Sequence, residues 1–147
     1  SGEVMDKGVV CSNYTDPKHT WDGGKNLKGG NALFTQTATP IKGGGAPQKI
    51  MYLAENHFRK SDVKNNTNIV FATAGSVIFG VKPIAKTLME VVDRKDINLR
   101  FNHKLVEVDG KNQIAWHKLT KDIKAGGCVI KSGDDDGITN SKNWSCD

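Results

Sequence analysis

Apolar residues change their spacing several times along this chain, and each change predicts an element. Residues 31–37 carry Ala32, Leu33 and Phe34 at their centre, with Pro40 beyond, and the composition predicts a strand. Three glycines, Gly43 to Gly45, then lead into a stretch where Ala46, Ile50, Leu53, Ala54, His57 and Phe58 recur every three or four residues. That spacing predicts an amphipathic helix with these six on its buried stripe, and Pro47 suits its first turn. After a polar loop at 61–66, residues 68–73 (NIVFAT) are continuously apolar, as in a strand buried on both faces of a parallel sheet. Residues 82–94 place Ile84, Ala85, Leu88, Val91 and Val92 on one helical face, with Pro83 near the start. Residues 97–101 alternate, setting Ile97, Leu99 and Phe101 against Asn98 and Arg100. Strand, helix and strand over 68–101 make a parallel βαβ crossover, expected to be right-handed. Residues 104–108 and 113–120 read as a hairpin about Asp109-Gly110, with Val106 and Val108 facing Ile114 and Trp116.

The fold class is therefore α/β, a partial dinucleotide-binding-type βαβ unit with an adjoining antiparallel hairpin or meander. The 147 residues, 37% of them hydrophobic, suffice for one ordinary domain. From residue 121 the chain turns to glycine, aspartate and serine, so residues 121–147 are expected to be a loosely held polar tail. Within it, Asp134 to Asp136 before Gly137 are too closely spaced for a calcium loop and predict a solvated turn. The net charge of +5 comes from 21 basic and 16 acidic residues interleaved along most of the chain, which argues against nucleic acid as a partner. No apolar run reaches the roughly 18 to 20 residues that a transmembrane helix needs. Cys11, Cys128 and Cys146 form neither a disulfide framework nor a zinc pattern, and no metal site is expected. Cys11 is expected to be a small buried or half-buried thiol. Cys128 and Cys146 either bridge in an oxidising compartment or remain thiols.

Candidate chemistry centres on the glycine loop. Glycines just ahead of a helix N-terminus admit a close backbone approach where unpaired N–H groups and the helix dipole favour negative charge. The same loop also fits a plain surface connection that needs tight turns. The turn after the strand at 68–73 offers only Gly75 and Gly80 where a nicotinamide fingerprint has three glycines. Asn102 stands near the second strand's end, where the ribose-binding carboxylate would be. A nicotinamide cofactor is therefore not expected. His19, His57, His103 and His117 are scattered with no nucleophile elbow, so hydrolase chemistry has little support, and His57 reads as a core histidine.

The blocks NALFTQTATPIK, GGGAPQKIMYLAENHFRK and NIVFATAGSVIFGVKPIAKTLMEVVDRKDINLRFNHKLVEVDGKNQIAW occur in an order that resembles the middle of the sulfide:quinone oxidoreductase family, over about residues 8–118. The resemblance implies a flavoprotein that passes electrons from sulfide to quinone through FAD, in a mitochondrion or another organelle. It implies that Gly45, Pro47 and Lys49 bind or approach the flavin. In that family the loop reads K-C-A-G-A-P-Q-K, and its cysteine is one of a redox pair; here Gly43 occupies that position. The family's helix near residues 20–28 is interrupted by Gly23-Gly24, predicting a short or frayed helix. At this length the chain is either a fragment or a reduced relative, with residues 1–120 the family-like segment. These departures lead to the expectation of a non-catalytic structural or interaction subunit: no catalytic residues, no FAD in this chain alone, and another protein chain over the exposed sheet. The alternative is a fragment or subunit of an FAD-dependent sulfide:quinone oxidoreductase acting with other chains.

Overall fold

The computed structural model describes residues 10–121, 123–125, 128–130 and 135–139. Helix α1 (Pro17–Asn26) opens the order, followed by β1 (Gly30–Gln36), α2 (Ala46–Lys60), β2 (Thr67–Thr73), α3 (Lys82–Arg94) and β3 (Ile97–Arg100). The hairpin strands are β4 (His103–Asp109) and β5 (Ile114–Leu119), and β6 (Ile123–Ala125), β7 (Cys128–Ile130) and β8 (Asp135–Thr139) come last. Strands β1, β2 and β3 form a parallel sheet in that order. Its register aligns Ala32, Ile69 and Ile97, then Phe34, Phe71 and Leu99, so these six side chains share one face.

Both helices cover that face. Met51 and Phe58 of α2 and Val92 of α3 are buried with Ile69, Phe71, Ile78 and Ile97 in one cluster. Two crossovers that step the same way across a sheet with the same hand place their helices on the same side, which is the arrangement found. On the opposite face Val70 and Ala72 are buried with Leu33 packed against them. Strand β2 is thus enclosed on both sides, as its unbroken apolar run requires. Full burial of side chains such as Phe58 and Phe71 stabilises the unit by about 1.5–3 kcal/mol each.

The buried line of α2 differs from the expected one. It runs through Gln48, Met51, Glu55 and Phe58, while Leu53 is 57% exposed. Two polar residues lie inside because each has a partner there. Gln48 Nε2 donates to the Ile78 carbonyl at 2.7 Å, and the Tyr52 hydroxyl donates to Gln48 Oε1 at 3.0 Å. The Glu55 carboxylate lies 2.6 Å from Lys95 Nζ and 3.5 Å from Arg59 Nε, tying α2 to the residue that ends α3. On α3, Ala85, Leu88 and Val92 lie at the core as expected and Met89 joins them, but Ile84 is 47% exposed.

Helix α1 begins earlier than expected and runs for ten residues through Gly23-Gly24. Asp16 caps it by accepting the His19 backbone N–H at 3.0 Å, and Pro17 occupies the first turn, which offsets part of the glycine cost. Cys11, expected to be at least half buried, is an exposed free thiol. Strands β4 and β5 pair antiparallel as predicted, with an irregularity between Leu105 and Glu107 that leaves Val106 49% exposed. Glu107 rather than Val106 is set opposite Trp116. The connection is longer than a two-residue turn. The Asp109 carboxylate accepts from the Asn112 side chain at 2.7 Å and its backbone N–H at 3.1 Å, which lowers the Asp109 pKa.

Beyond residue 121 the backbone contributes more than the expected loose tail. Strand β8 adds antiparallel to β5, giving the sheet order β4-β5-β8, and β6 pairs with β7. Asp135 to Gly137, read as a turn from their composition, are part of β8: an open sheet edge recruits a strand through backbone hydrogen bonds that side-chain composition does not announce. The Cys128–Cys146 pairing and the Trp144 anchor fall outside the described residues.

Candidate functional site at the carboxyl edge of the parallel sheet

In a parallel sheet the connections after every strand leave from one edge, and ligands of α/β proteins bind beyond it. Here that edge is built from residues 37–45 after β1, residues 74–81 after β2 and the start of the turn after β3. The three connections are joined. Ala74 N–H donates to Gln36 O at 3.3 Å, and Asn102 N–H donates to Gly75 O at 3.0 Å. Gly75 N–H donates to the Thr73 hydroxyl at 3.2 Å, and the Gln48 bond to Ile78 pins the second loop onto α2. A Cβ on Gly44 would lie 3.5 Å from Phe79, so the two loops are also in van der Waals reach.

The residues singled out from the sequence, Gly45, Pro47 and Lys49, share the first turn of α2. Gly45 is its N-cap at φ −89°, and its carbonyl accepts the Lys49 N–H at 2.9 Å. Pro47 is half-buried, whereas Gly45 and Lys49 are exposed. Gly43 lies just before this turn at φ +71°, with its carbonyl accepting the Ala46 N–H at 2.9 Å and open space where a Cβ would be. A left-handed φ costs an L-residue roughly 1 kcal/mol or more, so the backbone at position 43 suits glycine and works against a side chain.

Sequence reasoning overlooked Gln48, the residue that holds the two loops together. A signal existed: Gln48, Met51, Glu55 and Phe58 also recur at helical spacing, but choosing the stripe by apolarity alone passes over a polar residue with a buried partner. Burial raises the Tyr52 pKa, and its hydroxyl completes the same chain of bonds. His103 and His117, distant in sequence, meet with ring centroids 5.9 Å apart, both buried in the hairpin. His57 is half-buried and stacks edge-on against Trp21 at 4.8 Å. Among the described residues no group of three His, Cys, Asp or Glu side chains converges as a metal site, and no helix is long and apolar enough to cross a membrane.

Charge at this edge has one sign. Residues 23–54 and 63–89 contain no Asp or Glu, and Lys42, Lys49, Lys82 and Lys86 are exposed there. Between them stand Ile41 at 38% exposure, Val77 at 59%, Val81 at 50% and Ile84 at 47%. Exposed apolar side chains are thus present at the rim, as they also are at Tyr14, Trp21, Leu53 and Val106, while both faces of β2 are covered.

No family model matches the chain. It is 45% identical over 112 residues to the mitochondrial sulfide:quinone oxidoreductase of Mus musculus, a match covering 75% of this chain and 25% of that protein. The mitochondrial enzyme of the same name from Dictyostelium discoideum is 36% identical over 116 residues, covering 77% and 26%. That from Schizosaccharomyces pombe is 34% identical over 116 residues, covering 78% and 25%. The chain carries a segment of the sulfide:quinone oxidoreductase family. It spans about a quarter of the length of these curated relatives. The chain also resembles in fold a chain of the Tetrahymena thermophila mitochondrial ATP synthase, with a TM-score of 0.58 at 17% identity, over 84% of this chain and 29% of that one.

Proposed function

We propose that this chain serves as a non-catalytic structural or interaction unit derived from a sulfide:quinone oxidoreductase-like flavoprotein, in the mitochondrion, a localisation that its resemblance to mitochondrial relatives supports. The observation that carries the reading is Gly43 at φ +71°. By the family resemblance this is where a redox cysteine stands, and sulfide oxidation through a thiol–disulfide cycle needs a sulfur there to form and break the bond. Glycine offers none, and the local backbone has settled into a conformation that disfavours its return. On this reading the chain alone holds no FAD, and another protein chain covers its exposed apolar surface.

A second reading has one feature in its favour. The first turn of α2, with Gly45 exposed and open space beside it, sets the Lys49 charge and the positive end of the helix dipole near room for an anionic group such as the FAD diphosphate. In that case Gly45, Pro47 and Lys49 hold the cofactor, and the chain acts with others as part of an FAD-dependent enzyme. Two measurements on the purified chain separate the readings. Visible absorption near about 370 and 450 nm marks a bound flavin, for which the polypeptide has no chromophore. Quinone reduction on adding sulfide marks the activity. The non-catalytic reading expects neither, and sulfide-dependent turnover by this chain overturns it.

A further inference from the structure

We infer that the carboxyl rim of the parallel sheet is a docking surface for a protein segment that presents aliphatic side chains bordered by carboxylates. The inference rests on the non-catalytic interaction reading and names the surface and the partner chemistry it requires. Val77, Val81 and Ile84 are each about half or more exposed within eight residues of chain, with Lys82 among them and Lys86 just beyond. No carboxylate occurs in residues 63–89; Glu90, one helical turn beyond Lys86, is the first to follow, so Lys82 carries the net positive charge of this loop and helix start. Exposed aliphatic groups beside net charge of one sign match a partner with the same apolar footprint and the opposite charge.

Other occupants fit less well. A second copy of the chain would bring lysine against lysine, a repulsive arrangement. A membrane-surface helix lays an apolar stripe along its whole length in the interface. The stripe of α3 formed by Ala85, Leu88, Met89 and Val92 instead faces the core, which leaves only the first turn and its loop to the outside. The Gln48 bond to Ile78 also fixes that loop on α2, so the surface is pre-shaped for a rigid partner.

The test places the photo-crosslinker p-benzoylphenylalanine at Val81 of the full chain in its native organelle and identifies the adduct by mass spectrometry. A parallel sample carries Lys82→Glu and Lys86→Glu as well. The expected adduct is a polypeptide segment with Asp or Glu next to aliphatic residues, and its yield falls roughly tenfold on charge reversal. Adducts to lipid, to a lysine-rich segment or to no polypeptide overturn the inference, as does a yield indifferent to the reversal. Vesicles of phosphatidylserine and phosphatidylcholine supply the lipid control: charge-dependent binding to them, without a protein adduct, assigns the surface to membrane. Thermal melts of the crosslinker variant with and without the reversal must coincide; if the reversed chain unfolds, Lys82→Glu alone replaces it and is held to the same tenfold fall. Neither readout involves flavin or quinone, so failure here leaves the spectroscopic test of the non-catalytic reading standing on its own.

Discussion

At position 43 the difference between glycine and cysteine is both a lost sulfur and a changed backbone. Gly43→Cys meets no neighbour within 4 Å but adopts φ +71°, so the variant should be less stable by about 1–2 kcal/mol, measurable as a lower urea midpoint. Its thiol, near the opening turn of α2 and between Lys42 and Lys49 in sequence, should react with iodoacetamide faster at neutral pH than Cys11 does. Quinone reduction with sulfide should remain absent, because the cycle needs a flavin beside the thiol as well as a second cysteine within disulfide reach of it. Equal labelling rates at the two cysteines would count against an influence of the helix terminus. Gln48 makes a different kind of contribution. Gln48→Ala leaves the Ile78 carbonyl and the Tyr52 hydroxyl without their buried partner, and a loss of about 1–3 kcal/mol is expected. Hydrogen exchange should rise in residues 74–81 beyond what the global loss explains; an unchanged loop would show that Gln48 does not anchor it.

The chain of bonds from Ile78 through Gln48 to Tyr52 also gives α2 a response to alkali. Burial holds the Tyr52 pKa above its ordinary value, so the unfolded chain, titrating near 10, releases this proton first. The folded state then binds more protons than the unfolded one, and the contribution, complete below about pH 10, is lost as pH rises through the raised folded value. Tyr52→Phe should therefore shrink the loss of stability between about pH 9 and pH 11, seen in urea midpoints; identical slopes in both proteins would exclude a role for this hydroxyl. Elements differ in how well their sequence announces them. Helix α3 spans Lys82–Arg94 as its periodicity predicts, and Asn68 to Thr73 form the body of β2, because each carries a single clear spacing. The α2 stripe was misjudged at Gln48 and Glu55, whose partners Ile78 and Lys95 lie 30 and 40 residues away and give no local sign. Strand β8 was illegible for a related reason: its existence depends on the open edge of β5. Gly45, Pro47 and Lys49 could be grouped from sequence as one helical turn, but the loop facing them could not.

Considered as a whole molecule, the parallel sheet has the form of a nucleotide-binding unit without its fingerprint. NADH should show no heat of binding in titration calorimetry, since the turn from Gly75 to Gly80 lacks the glycine spacing and Asn102 offers no carboxylate to a ribose. Micromolar affinity would overturn that argument. Strands β1, β2 and β3 also lie side by side in the order in which they are synthesised, and α2 and α3 each close the gap between neighbours on one face. A growing chain can therefore add each strand to a surface already made, without waiting for a distant segment. Each parallel pairing still joins residues well apart in sequence, Gly30 with Thr67 and Ile69 with Ile97, so the strand order favours stepwise assembly from the amino-terminal side rather than speed, and the hairpin can dock onto a sheet that is already formed.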